Sequence, residues 1–169
     1  MASILKTDKI EGVTASGTVQ MPAGMTLQTL EGFSYTRVTS TSETFVDTGV
    51  SVAITPKFST SKILILCKHL FEVNSNENAR AGLRLLRDTT NIAEIDNMIA
   101  YNYVSGEASV TGGTGVGMVL DSPSTTSAIT YKTQFCRSVD LGGTVYCNAD
   151  DSGNYERSRG SIIVMEIAQ

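Results

Sequence analysis

The chain has 169 residues, with 13 Lys+Arg against 17 Asp+Glu and a formal net charge of −4. That balance excludes a nucleic-acid binder, which needs a basic stripe to displace counterions from phosphate. With 41% hydrophobic and 18% charged residues, the composition also excludes a disordered chain and points to one mildly acidic globular domain, with room for an arm.

The first thirty residues, Met1 to Leu30, are apolar only in spots: Ile4, Leu5, Ile10, Val13, Val19, Met21, Met25 and Leu27. Gly12, Gly17, Pro22 and Gly24 punctuate the segment, so it cannot build a core alone. Fully extended it reaches roughly 80–100 Å at about 3.3 Å per residue. Two readings stand side by side. It is an arm that docks on another chain, with Ile4, Leu5, Ile10, Val19 and Met21 as the buried contacts, or it is a pair of early strands folding back on its own domain. The opening residues lack a long apolar run before a cleavage site and are not expected to act as a secretory signal. The longest apolar run, Ile63 to Cys67, is far short of the ~20 residues a membrane helix needs.

Residues 31–169 carry strand signals. Ser and Thr make up about a quarter of the chain, a mix that favours strands and turns over helices. In Phe45 to Thr55, Val46, Val50, Val52 and Ile54 share one parity, and Pro56 closes the strand. Lys62 to Val73 starts apolar on both parities, as expected of a strand covered by a second sheet on one face and by a subunit or loop on the other. Glu77 to Asp88 suits either a short helix or a strand, and Leu83 and Leu85 incline it to strand. Gly115 to Leu120 alternates Val116, Met118 and Leu120. Ile129 to Val139 alternates Ile129, Tyr131, Thr133 and Phe135. Thr144 to Asn148 is short, preceded by Gly142-Gly143 as a hairpin turn, and Ser161 to Ala168 closes the chain. Seven or eight strands with turn clusters at this spacing predict an all-β antiparallel sandwich, jelly-roll-like in its order.

The chemistry-bearing residues are few. His69, the sole histidine, lies on the apolar parity of Ile65, Cys67 and Phe71 and reads as a packed side chain. One histidine and three scattered cysteines (Cys67, Cys136, Cys147) offer neither a zinc-ligand pattern nor a catalytic triad, so no catalytic residue, cofactor or metal is expected. Gly112 to Gly117 lacks the strand–helix context and Lys-Ser/Thr of a phosphate loop. Asn148 to Glu156 has enough oxygens for calcium, but Arg159 stands where an EF-hand needs a bidentate Glu, so the segment reads first as a polar turn. Tyr101, Asn102, Tyr103 and Tyr155 sit in loop-like contexts where stacking plus hydrogen bonds would hold a host glycan. Ordinary strand tyrosines or an interface between copies are the other reading.

Ile4-Leu5-Lys6-Thr7-Asp8-Lys9-Ile10, Val46-Asp47-Thr48-Gly49 through Ile54-Thr55-Pro56, Ser59-Thr60-Ser61-Lys62-Ile63-Leu64-Ile65, Leu85-Leu86-Arg87-Asp88-Thr89-Thr90 and Ile163 to Ala168 together resemble small virion structural proteins of marine tailed bacteriophages, of the tail-fibre-like or head-decoration-like kind. The resemblance implies a non-enzymatic protein of the virion surface, assembled in the host cytoplasm. It further implies a homotrimer whose N-terminal segment attaches to the major capsid protein or to other tail proteins, with no nucleic-acid partner and no membrane insertion. Recognition of a host surface glycan is the alternative function.

Overall fold

The computed structural model describes residues 22–75, 78–102, 106, 109–138, 142–148 and 158–169. They form ten strands: β1 (Thr26–Ser34), β2 (Val38–Ser40), β3 (Val46–Ile54), β4 (Lys62–Ser75), β5 (Ala79–Arg87), β6 (Thr90–Asn102), β7 (Ser109–Asp121), β8 (Ile129–Arg137), β9 (Thr144–Cys147) and β10 (Gly160–Ile167). The segment that suited helix or strand is β5, with Leu83, Leu85 and Leu86 buried and Arg84 and Arg87 turned outward.

The strands make two antiparallel sheets. In the first, the long β4 pairs with β7 along its whole length on one side. On its other side β10 takes Lys62 to Lys68 and β9 takes Phe71 to Asn74. Beyond these, β1 pairs with β10 and β2 with β9. The second sheet runs β3–β8–β5–β6. Counting β1 with β2, and β9 with β10, as single positions leaves eight. They run first–eighth–third–sixth in one sheet and second–seventh–fourth–fifth in the other, which is the strand order of a jelly roll.

Alternation explains the core. On β3, Val50, Val52 and Ile54 point inward, and on β4 the odd-numbered residues from Ile63 to Ser75 do. Between the sheets lie two apolar clusters. One is built on Ile54, Ile63, Ile65, Tyr131, Ile162 and Val164. The other is built on Phe71, Val73, Leu83, Phe135 and Val145. Thr48, His69 and Thr133 occupy the inward positions between them on β3, β4 and β8 and are fully buried.

Two expectations need correction. Gly142 and Gly143 do have positive φ (101° and 89°), but β8 and β9 belong to different sheets, so the pair lies on a crossing between sheets and not in a hairpin. The first sheet begins at Thr26, inside the segment assigned to the arm: residues 26–30 pair with β10, because Gly32 lets β1 pass close to β3. A Cβ there would stand 2.0 Å from the Ser51 carbonyl oxygen. On β7 the structure supplies the direction of the alternation seen in the sequence. Val116, Met118 and Leu120 face outward, and Gly113, Gly115 and Gly117 face the core. A Cβ on these glycines would lie 2.7 Å from Ala100 N, 2.7 Å from Ile99 Cδ1 and 2.6 Å from Ile95 Cδ1 respectively. β6 approaches so closely that only glycine fits beneath it.

Candidate interaction surface

Because glycines fill the inward positions of β7, its apolar side chains are left on the outside. Val116 is 66% exposed, Met118 74% and Leu120 56%. The antiparallel register sets these beside the even-numbered residues of β4, the second apolar parity visible in the sequence. Leu120 lies across from Leu64, which faces Met165 of β10. Met118 lies across from Leu66, then Ile163, then Glu31 of β1. Val116 lies across from Lys68, then Ser161, then Phe33. At strand spacings near 4.8 Å and about 6.8 Å between alternate residues, four strands by three rows cover a plan area of roughly 400 Å². Eight of these twelve positions are apolar, Thr29, Glu31, Lys68 and Ser161 being the others, so the apolar part covers roughly 270 Å², close to the size at which a monomer's largest apolar patch is often functional.

The border of the patch is polar. The Arg159 guanidinium lies 4.3 Å from the centroid of the Phe33 ring and pairs with the Glu31 carboxylate. Phe33 in turn meets Tyr35 edge-on, with centroids 5.9 Å apart. Lys68 interrupts the apolar rows, and further along the same face Glu72 pairs in register with Tyr146, over which Arg37 lies at 5.1 Å. An apolar centre with a charged and aromatic rim is the anatomy of a protein–protein interface. No other strand of the described residues lies over this face, since all ten belong to the two sheets. The sequence anticipated a covering for the second face of β4. It did not identify Val116, Met118, Leu120 and Phe33 as members of that face.

The residues singled out in the sequence fall elsewhere. Ile4, Leu5, Ile10, Val19 and Met21 lie outside the described residues, as do Tyr103, Tyr155 and most of the polar segment considered for calcium. Tyr101 is 39% exposed near the end of β6. Asn102 is turned in: its amide donates to the carbonyls of Ser109 at 2.7 Å and Ser75 at 3.3 Å. It clamps the ends of β4, β6 and β7 together and does not present itself to a sugar.

The interior holds polar chemistry of a structural kind. Asn148 Nδ2 donates to the Thr48 carbonyl at 2.9 Å, which leaves Oδ1 facing His69 Nδ1 at 2.8 Å. Nδ1 therefore carries the proton, and Nε2 accepts from the Thr133 hydroxyl at 2.9 Å. Thr48 Oγ1, 2.7 Å from Thr133 Oγ1, donates to it and closes the cycle. Burial pulls the His69 pKa below its ordinary value, against the opposing hydrogen bond it donates to Asn148, so the imidazole is neutral. With both nitrogens engaged it has no free position for a metal or substrate. Burial pushes the Cys67 thiol up to about 11 and raises Cys136 and Cys147 as well; all three are free, buried thiols without thiolate character. Among the described residues, no group of three His, Cys, Asp or Glu side chains is placed to hold a metal ion.

No protein-family model matches the chain, and no curated protein matches it. Among solved structures, it is similar to a mutant VP2 protein of infectious bursal disease virus in T=1 particles, at 13% identity and a TM-score of 0.39, over 100% of this chain and 41% of that one. A viral particle of the same virus gives 13% identity and 0.39 over 95% and 40%, and its Gt strain 12% and 0.37 over 100% and 43%. The chain thus spans about two-fifths of the length of these relatives.

Proposed function

We propose that this protein is a non-enzymatic structural component of a bacteriophage virion. In this reading it is a jelly-roll domain that assembles as a homotrimer and docks on capsid or tail proteins through its N-terminal segment. The observation that supports this best is the apolar outer face of the β7–β4–β10–β1 sheet. Viral capsid proteins, lectins and cupins all use jelly rolls, so the fold by itself does not choose among them. A cupin metal site wants a histidine cluster, whereas the one histidine here is locked in the core. A lectin wants polar and aromatic groups presented together, and Asn102 is withdrawn from Tyr101. What the surface does present is a broad apolar sheet face with a charged rim, which suits a protein partner.

Immunogold labelling of intact virions with antibody against the purified protein tests the reading. Gold over the head assigns it to capsid decoration, and gold confined to the tail assigns it to a fibre. Particles that carry no label would overturn it. Glycan recognition at Tyr101 is the second reading, favoured by that side chain's exposure at the sheet end. Binding on a glycan array that disappears in Tyr101→Ala would establish it.

A further inference from the structure

Glu166 of β10 is fully buried, and separate parts of the chain meet on its carboxylate. Oε1 accepts from the Lys57 amide at 2.7 Å and the Phe58 amide at 3.4 Å, both in the turn between β3 and β4. Oε2 accepts from Gln28 Nε2 of β1 at 2.5 Å. The same Nε2 donates to the Thr55 carbonyl at 2.8 Å, and the buried Ser61 hydroxyl lies beside the carboxylate. An irregularity in β1 brings Gln28 here. Thr26 lies across from Ile167 and Gln28 from Glu166, so Leu27 is an extra residue, and such a bulge re-aims the side chains around it.

This arrangement suits an anion. An ionised carboxylate only accepts, and Gln28, Lys57 and Phe58 all donate to it. A proton removes the charge that strengthens these bonds and turns one acceptor oxygen into a donor among donors. Gln28 cannot turn its amide over in compensation without setting its oxygen against the Thr55 carbonyl.

Little else holds the turn. Apart from the Ser61 amide on the Phe58 carbonyl at 3.1 Å, the hydrogen bonds of described residues 56–60 go to Glu166. Lys57, Ser59 and Thr60 are exposed. By contrast, β4 is paired on both sides from Lys62 to Lys68. The surrounding charges do not take over the role of Glu166. The Lys57 side chain is in solvent, and Lys62 lies on the outward parity of β4. Asp121 stands in the same row beyond Ile63 and is held by Arg87. From the facing sheet, Ile54 and Ile129 pack with Ile63 and carry no charge.

We propose that Glu166 is an acid-operated latch: neutralising its carboxylate releases the turn from Pro56 to Thr60 and the start of β1, while the core of the sandwich stays folded. Burial opposes the charge, yet the donors hold the carboxyl below its ordinary pKa, so the latch is closed at neutral pH and opens in acid.

Amide hydrogen exchange of the full chain, followed by NMR and corrected for the intrinsic rate at each pH, tests it. Protection of the Lys57 and Phe58 amides is expected to fall by about tenfold or more between pH 6 and pH 3, with the Ile65 amide of β4 protected throughout. The midpoint of that loss should coincide with the titration of the Glu166 carboxyl carbon and not with that of Asp121. In Glu166→Gln the two turn amides should be weakly protected at both pH values. Protection that persists at Lys57 and Phe58 down to pH 3 overturns the proposal. So does loss in step with Ile65, which is global unfolding, and so does a midpoint that follows Asp121. If Glu166→Gln does not fold, the midpoint in the wild-type protein still decides.

Discussion

His69 Nδ1 and Asn148 Oδ1 lie 2.8 Å apart in the centre of the sandwich, and the contact ties the end of β9 to the middle of β4. Asn148 adopts a positive φ of 67°, a conformation that asparagine tolerates better than most residues. Its side chain then reaches the Thr48 carbonyl of the opposite sheet. The two apolar clusters are thus separated by a polar layer in which each donor meets an acceptor. Asn148→Ala takes the Nδ2 donor from the buried Thr48 carbonyl and leaves the His69 proton only the weak Cys147 sulfur acceptor at 3.7 Å, and a loss of about 2–4 kcal/mol is expected. Urea denaturation of the variant and wild type measures it.

His69 also sets a pH dependence. Its folded pKa lies below the unfolded value of 6.5, so in the window between them the unfolded state binds a proton that the native state does not. Stability is therefore undiminished above about pH 6.5 and falls as the pH drops from there towards the folded value, by at most about 1.4 kcal/mol per pH unit. The chain has one histidine, so the slope between pH 5.5 and 6.5 belongs to it. Melting curves across that range show the slope in wild type, and it should vanish in His69→Gln.

Gly160 backs onto the same cycle. A Cβ there would stand 2.1 Å from Asn148 Oδ1 and 2.8 Å from His69 Nδ1, so Gly160→Ala must push the amide off the imidazole. We expect a cost of about 2–4 kcal/mol. The control is Gly112→Ala on the outer face of β7, whose Cβ would come no nearer than 3.9 Å to the Phe71 carbonyl oxygen. That change should fall within about 0.5 kcal/mol of neutral. Equal losses at both positions would refute the steric account.

The sequence was legible wherever inward positions were filled with branched or aromatic residues. On β3 and β8 the apolar parity is the buried one, and on β4 the odd parity stays apolar through Phe71 and Val73, so Thr133 and His69 could be placed in the core from that parity alone; β10 is apolar on both parities and its inward one also holds Glu166. On β7 the alternation Val116, Met118, Leu120 was visible but its direction was not, because there the inward residues are glycines and the apolar side chains belong to the outside. Only the neighbouring β6 explains this, and β6 was itself hard to see. Its pairing with β5 shifts register repeatedly, so Thr90 to Asn102 keeps no steady period. β1 was absorbed into the arm for a related reason: its close approach to β3 requires Gly32, and an edge strand of mixed polarity carries little pattern. The outer face was visible only as the second apolar parity of β4, since which strands flank β4 is decided by topology.

Glu166 is a second buried polar anchor with its own pH window. It is fully buried on β10, where its Oε1 accepts from the Lys57 amide at 2.7 Å and its Oε2 from Gln28 Nε2 at 2.5 Å. Burial works against its charge, but the donors gathered around it prevail and hold the pKa below 4.5. A carboxyl of depressed pKa stabilises the fold fully above the unfolded value, and that contribution is lost as the pH falls through the folded one. Glu166→Gln keeps one acceptor but turns the other into a donor, which must face either the Gln28 amide group or the Lys57 backbone N–H, at an expected cost of about 1–3 kcal/mol at pH 7. The difference between variant and wild type should shrink below pH 4, as paired melts in acetate and formate buffers will show.

At the far side of the sandwich, Asp121 of β7 receives Arg87 of β5 on both oxygens, at 2.9 and 2.7 Å, and the Tyr131 hydroxyl at 2.7 Å. This joins the two sheets through the end of β7. Burial, reinforced by the hydrogen bond to Asp121, raises the Tyr131 pKa, so the phenol remains a donor through the neutral range. Tyr131→Phe keeps the ring in the apolar cluster and removes one bond to a charged acceptor, which is expected to cost about 1.5–3 kcal/mol. Arg87→Met should cost less than Tyr131→Phe, because the ion pair is partly exposed, at 26% and 13% for its two side chains, and solvent screens it. A double-mutant cycle on the two positions, read by urea denaturation, should give a coupling energy above zero, since both donors hold the same carboxylate. Strict additivity would mean that Tyr131 and Arg87 act independently and that the carboxylate does not link the sheets.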